Sequence, residues 1–186
     1  MSEPVEAHLE GCIRFEARAQ KALYERLAPK MLAVCARYAR STFDAEDILQ
    51  DGFIKVFQKI GDFSGKGSLE GWVRRIMVRT AIDHYRKTKK QDKEVDIDEQ
   101  FTDELSAEMV DQLSVDYLLS LIQTLPSGYR IVFNLFAIEG YSHKEIAQQL
   151  AINESTSRSQ YTRARALLKK RISEDNQHKS IFRDVI

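Results

Sequence analysis

Long apolar runs are missing from this chain of 186 residues. None approaches the roughly 18 residues that a bilayer-crossing helix needs, so no membrane insertion is expected. The opening MSEPVEAHLEG is acidic and has no apolar stretch, which argues against a signal peptide. Cysteine is scarce. Cys12 and Cys35 stand outside any CxxC pair and read as free thiols of a reducing cytoplasm. His8 and Cys12 have a spacing that could hold a metal, but nothing nearby completes a site, and no metal or cofactor is expected. Histidine is equally thin: His8, His84, His143 and His178 are scattered and form no catalytic set. Glu16, Glu25, Glu46 and Asp51 are compatible with helical carboxylates around a metal, yet no E-x-x-H pair accompanies them. Enzymatic activity is therefore not expected. Strand signals are few as well. With 43% hydrophobic and 30% charged residues, what remains is ordinary soluble composition with enough apolar residues for a core.

Net charge is also absent, at a formal +0, but the charges are not mixed. Lys66–Lys93 holds nine basic and three acidic residues, Asp92–Asp116 ten acidic residues and one lysine, and Glu154–Ile172 six basic and one acidic. Helices do not require such segregation. Two basic surfaces separated by an acidic connector fit a polyanionic partner better than three solvated faces.

The spacing predicts an all-α fold of two small helical domains, at 12–90 and 113–174, joined by an acidic linker at 91–112. Phe15, Ala19, Ala22, Leu23 and Leu27 recur at three and four, and Pro29 is expected to end that helix. Met31, Leu32, Val34, Cys35 and Tyr38 give a second segment. Asp44, Glu46 and Asp47 open a third, with Ile48, Leu49, Phe53, Val56, Phe57 and Ile60 as its apolar positions. GDFSGKGS (61–68) breaks the pattern, and Ser68 can cap the next helix. In that helix, Leu69, Trp72, Val73, Ile76, Met77, Thr80, Ala81 and His84 share one side. Arg75, Arg79 and Arg86, with Ile82 between them, run along another.

Beyond the linker, Val115, Leu118, Leu119 and Ile122 predict one helix, ended by LPSG. Tyr129–Ile138 predicts another, ended by Gly140. A helix-turn-helix pattern comes next. Ser142 and Glu145 form a capping box, Ile146, Ala147 and Leu150 an inner face, and Ile152 a plug in the turn. The last helix starts near Glu154 or Ser155 and packs through Tyr161, Ala164, Leu168 and Ile172. Its first turns carry Ser155, Thr156, Arg158, Ser159 and Thr162, groups able to enter a major groove.

Taken together, these segments resemble the extracytoplasmic-function group of bacterial RNA polymerase sigma-70 factors. DAEDILQDGFIKVFQKI (44–60) and GSLEGWVRRIMVRTAIDHYRK (67–87) are similar to the second conserved region, and LPSGYRIVFNLFAIEGYSHKEIAQQLAINESTSRSQYTRARALLKK (125–170) to the fourth. The resemblance covers roughly Phe15 to Ile172. It implies a protein that binds core RNA polymerase and directs promoter recognition, DNA melting and initiation. Promoter DNA is a partner as a minus-35 duplex and as a melted minus-10 strand, and an anti-sigma protein is a further expected partner. An ordinary transcription regulator would share the helix-turn-helix but has no need of the Asp44–Lys90 block.

The resemblance also implies roles. Asp47, Gln50, Asp51 and Phe53 match the polymerase-docking helix, and on the residues alone Phe53 reads as either anchor or core. Arg75, Arg79, Asp83 and Arg86 lie in the minus-10 segment with Trp72, whose stripe favours a core role over base stacking. The family usually has asparagine at Arg79, where added charge suits a phosphate. Asp83 reads as orienting Arg79 or Arg86, or as a base contact. Lys87, Lys89 and Lys90 read as phosphate contacts. In the last helix, Ser155 and Ser157 replace the usual glycine and valine. Ser155 can cap the helix, whereas Ser157 is expected to loosen or rotate its junction with the preceding one. Gln160 stands where a basic residue is common. Arg163 and Arg165 complete an RAR pattern in which at least one grips phosphate.

Overall fold

A computed structural model describes residues 5–92 and 115–174. The chain divides into two compact units, 1–87 and 88–186, and every regular element among the described residues is helical. The linker expected at 91–112 and the domain start at Leu113 fall almost wholly outside the described residues.

In the first unit, α1 (Leu9–Ile13), α2 (Ala17–Ala36), α3 (Thr42–Lys59) and α4 (Leu69–Asp92) succeed one another. Pro29 does not end a helix: α2 runs through it. Leu23, Leu27, Met31, Val34 and Cys35 form one continuous buried stripe, and Pro29 with the residue four before it lies on the solvent side. Water can therefore satisfy the carbonyl that loses its N–H partner. Phe15 is not a core residue. It stands after α1 at φ +58 and is 68% exposed.

The hydroxyl of Ser41 caps α3 by accepting from the Asp44 N–H, and Ser68 Oγ accepts from the Gly71 N–H at 3.1 Å to open α4. α3 buries Ala45, Ile48, Leu49, Phe53 and Val56, while Phe57 stays half-buried. α4 buries Leu69, Val73, Met77, Thr80 and Ala81 as expected, together with Val78 and Ile82. Ile82 thus belongs to the core and not to the cationic face. Gly52 lets α3 approach α4 closely, since a Cβ there would lie 2.2 Å from Met77 Sδ. Each fully buried Leu, Ile or Met contributes about 1.5–3 kcal/mol.

The second unit comprises α5 (Val115–Gln123), α6 (Ser127–Phe133), α7 (His143–Leu150) and α8 (Glu154–Glu174). The helix expected over 129–138 is α6 extended by a wider π turn, Asn134–Ile138, in which the Glu139 N–H bonds the Asn134 carbonyl at 3.0 Å. Gly140, at φ +77, reverses the chain, and the Tyr141 N–H closes on the Leu135 carbonyl at 2.9 Å. Ile122, Leu125, Phe133, Ala164 and Leu168 form the centre of this core. Arg130 is buried too, its Nη1 donating to the Gln123 carbonyl at 2.8 Å, so it closes the end of α5.

Candidate nucleic-acid interface

Two faces of the first unit carry its candidate residues. On α4, Arg75, Arg79, Asp83 and Arg86 are all exposed, at spacings of four, four and three that keep them on one line. Lys87 is exposed and Lys89 half-buried. Lys90 lies within α4, outside the residues whose side chains are described. Asp83 does not pair with its arginine neighbours. Its carboxylate lies 3.3 Å from Lys55 Nζ of α3. Trp72 is half-buried, not core, with its ring 5.8 Å from that of Phe63. Its position is in step with Ile76, Arg79 and Asp83, toward the cationic side of α4.

The opposite character appears on α3. Asp47, Gln50 and Asp51 are exposed, whereas Phe53 is 3% exposed and packs on Tyr24 at 4.6 Å and Phe57 at 5.9 Å. Phe53 therefore orients the helix from within. Sequence reasoning missed Phe43 and Ile54, which are 72% and 55% exposed. The spacing 43, 47, 50, 54 puts both in line with the acidic and amide groups, a signal masked by attention to the buried stripe. The face that carries the acidic and amide groups thus also leaves two large apolar side chains in water.

In the second unit the capping box is complete. Ser142 Oγ accepts from the Glu145 N–H at 3.3 Å, and Glu145 Oε2 accepts from the Ser142 N–H at 2.8 Å and from its hydroxyl at 2.7 Å. These bonds hold the Glu145 carboxyl below its ordinary pKa. Ile146, Ala147 and Leu150 are buried. Ala151 makes the turn at φ +51, and the Ile152 N–H bonds the Ala147 carbonyl at 3.1 Å.

α8 begins at Glu154, which puts Ser155 inside the first turn and not at the cap. Ser155, Arg158, Ser159, Thr162 and Arg163 are exposed, and Thr156, Gln160 and Arg165 half-buried. Arg158 Nη2 is held by Glu154 Oε1 at 2.5 Å. Ser159 donates to the Thr156 carbonyl at 2.9 Å and Thr162 to the Arg158 carbonyl at 3.0 Å. With those protons engaged, both hydroxyls face outward as acceptors, which suits base amino groups better than phosphate. Arg163 Nη1 donates to Tyr129 Oη at 3.3 Å, and Arg165 sits 5.8 Å over the Tyr161 ring.

Ser157 departs most from expectation. Against the expected loosening or rotation of its junction with α7, it is enclosed there and has a partner. Its side chain is 0% exposed, and its Oγ lies 2.9 Å from His143 Nδ1. Nothing in the local sequence pairs position 143 with position 157, because their meeting depends on how the two helices cross.

Among the described residues, no helix is long and apolar enough to cross a membrane. A model of Sigma-70 region 2 matches residues 23–91, and one of Sigma-70, region 4 matches 115–168. The ECF RNA polymerase sigma factor SigW of Bacillus subtilis is 30% identical over 158 residues, 77% of this chain and 83% of SigW. The RNA polymerase sigma-H factor of Pseudomonas aeruginosa is 27% identical over 169 residues, 84% of this chain and 88% of that protein. Among solved structures, the sigma factor RpoE of Bartonella quintana, determined with the anti-sigma factor NepR, superposes with a TM-score of 0.52 at 20% identity, covering 83% of this chain and 97% of RpoE. That likeness supports the helical fold. With regions 2 and 4 matched in order and a relative at 30% identity aligned over most of both chains, the protein belongs to the sigma-70 family, in its extracytoplasmic-function group.

Proposed function

We propose that this chain binds core RNA polymerase in the cytoplasm and spans a promoter with its two units, supplying recognition and strand capture and no catalysis of its own. The observation that carries the reading is the pairing of two unlike exposed faces on one small unit. α3 presents Asp47, Gln50 and Asp51 with Phe43 and Ile54, and α4 presents Arg75, Arg79 and Arg86. The first suits a protein surface that is basic around apolar hollows, and the second suits a nucleic-acid backbone.

In this reading α4 holds the melted minus-10 strand. Arg75, Arg79, Arg86, Lys87, Lys89 and Lys90 offset phosphate charge, and Trp72 offers part of its ring as a stacking surface. Asp83, held by Lys55, ties the DNA-facing helix to the polymerase-facing one. α8 reads the minus-35 duplex with Ser155, Thr156, Arg158, Ser159 and Thr162, while Arg163 and Arg165 reach phosphates. Opening DNA costs a few kcal/mol per unstacked base, as an order of magnitude, and capture of the single strand offsets part of it. The acidic connector, by its sign, avoids duplex DNA. An anti-sigma protein is a candidate regulator, which co-purification from the source cell would identify.

Binding to sigma-free core polymerase tests the reading, with an Asp47→Lys, Gln50→Ala double variant beside the natural chain. Tight one-to-one binding is expected, weakened about tenfold or more by the charge reversal. No binding at micromolar concentration would overturn it and leave a stand-alone duplex-binding regulator as the reading to pursue.

A further inference from the structure

Among the described residues of α8, Ser157 is the one polar side chain that the fold encloses completely. A hydroxyl withdrawn from water needs a partner, and here it is the Nδ1 of His143, 2.9 Å away across the turn. The imidazole is itself clamped. It stacks on Phe136 of the π turn with centroids 4.3 Å apart and planes 13° from parallel. Tyr161 of α8 meets its edge at 5.8 Å, and also packs on Phe136 at 4.5 Å. Two apolar side chains at 143 and 157 would hold α8 by dispersion, which tolerates sliding and rotation. A hydrogen bond to a clamped ring is directional and does not. Surface groups of a helix lie about 5–6 Å from its axis, so a rotation of about 20° carries a base-facing atom about 2 Å, enough to break its contact. Ser157 immediately precedes Arg158 in the segment that faces DNA.

We propose that His143 and Ser157 form a polar latch that sets the rotation of α8, and that protonation of His143 weakens reading of the duplex element through this latch. His143 is thereby a positioning residue, and the inference rests on the promoter-reading role proposed for α8.

The chemistry favours a neutral latch. A neutral imidazole can meet the Ser157 hydroxyl through Nδ1 as either donor or acceptor, whereas the protonated ring has donors only. The protonated ring can still give Nδ1–H to Ser157 Oγ, but the enclosed Ser157 hydroxyl then loses that nitrogen as acceptor for its own proton. From α8, Arg158 and Glu154 act on the ring in opposite directions while pairing with each other at 2.5 Å. From the π turn comes only the ring of Phe136, since Asn134–Ile138 holds no charged side chain. On α7 itself the neighbours are Lys144 and Glu145, the latter engaged with Ser142. Burial, and then Arg158, hold the His143 pKa below its ordinary value, and Glu154 opposes them. For a basic group shifted downward, the latch contributes fully above the unfolded pKa of about 6.5 and is lost as pH falls through the folded value.

The test uses the full chain bound to core polymerase, and promoter duplexes with an intact or a scrambled upstream element, at about pH 7.5 and about pH 5.5. Preference of the natural chain for the intact element is expected to fall about three- to tenfold on acidification. Ser157→Ala is expected to show a similar loss already at neutral pH, with a flat pH profile. His143→Gln keeps a hydrogen-bonding side chain that does not titrate, and is expected to hold its preference at both pH values. Core binding should be the same for all three. If the natural chain fails to bind core polymerase, the sigma reading falls, and the role of the latch with it. If it binds but His143→Gln loses preference in acid as the natural chain does, the latch alone is overturned. Natural preference and profile in Ser157→Ala would overturn it as well. Should Ser157→Ala unfold its unit, seen as lost helical circular dichroism, the His143→Gln profile decides by itself.

Discussion

The helices of the two units are joined by different means. Among the described residues of the first unit, Thr80 is the one non-aromatic polar side chain that is fully buried, and the buried seams of α2, α3 and α4 are otherwise apolar, with the Lys30–Glu70 and Lys55–Asp83 pairs at the surface. The second unit buries Arg130, Asn134 and Ser157. Hydrocarbon contact is strong and non-directional, so it can hold α3 and α4 as one platform whose outward faces differ freely. Hydrogen bonds contribute less net free energy each but fix angles. That suits the base-reading role proposed for α8.

The contrast can be broken most forcefully in the first unit. Leu27→Ala is expected to cost about 2–5 kcal/mol, read as a lowered urea midpoint for that unit, because it truncates a fully buried side chain and opens a cavity. Polymerase binding should go with it, while the second unit keeps its fold. A cost below about 1 kcal/mol would mean that the apolar seam is not what joins these helices. Gly52→Ala comes next, at about 1–3 kcal/mol from overpacking against Met77, and its cost should shrink in a Met77→Ala background. Equal costs in both backgrounds would rule out close approach as the cause.

The remaining two predictions sharpen the polar side of the comparison. Arg130→Met retains volume but removes the bond to the Gln123 carbonyl, and a loss of about 1–2 kcal/mol in the second unit is expected from chemical denaturation. Ser142→Ala should cost about 1 kcal/mol at neutral pH. The Glu145 pKa is lowered in the folded state, so its share of the capping box is present above the ordinary glutamate value of 4.5 and lost as pH falls through the folded one. The difference between Ser142→Ala and the natural chain should therefore narrow in acid. A difference that does not change with pH would show that Glu145 takes no part in the cap.

Much of this is legible in the sequence. The capping box, the breaker at 61–68, the Ser68 cap and the inner face of α7 depend on residues within a few positions of one another, where propensity and hydrogen-bond reach decide the outcome. The misreadings share a cause. Pro29 reads as a stop because a proline's effect depends on whether water reaches the freed carbonyl. Ile82 reads as part of the cationic face because the width of a buried arc depends on how many helices cover it. Asp83 reads as a partner of Arg79 or Arg86 because Lys55, on another helix, is invisible to local spacing.

By itself the sequence determined most of the helices, the Ser68 cap and the Ser142–Glu145 capping box, the basic and acidic partition and the two sigma regions, since each comes from neighbours along the chain or from the order of motifs. Only the tertiary structure decided that Phe53 faces inward while Phe43 and Ile54 face out, that Asp83 answers to Lys55, and that Ser157 meets His143. Those outcomes depend on how separate helices approach one another. That approach is set by packing summed over whole faces, to which no single stretch of residues has access.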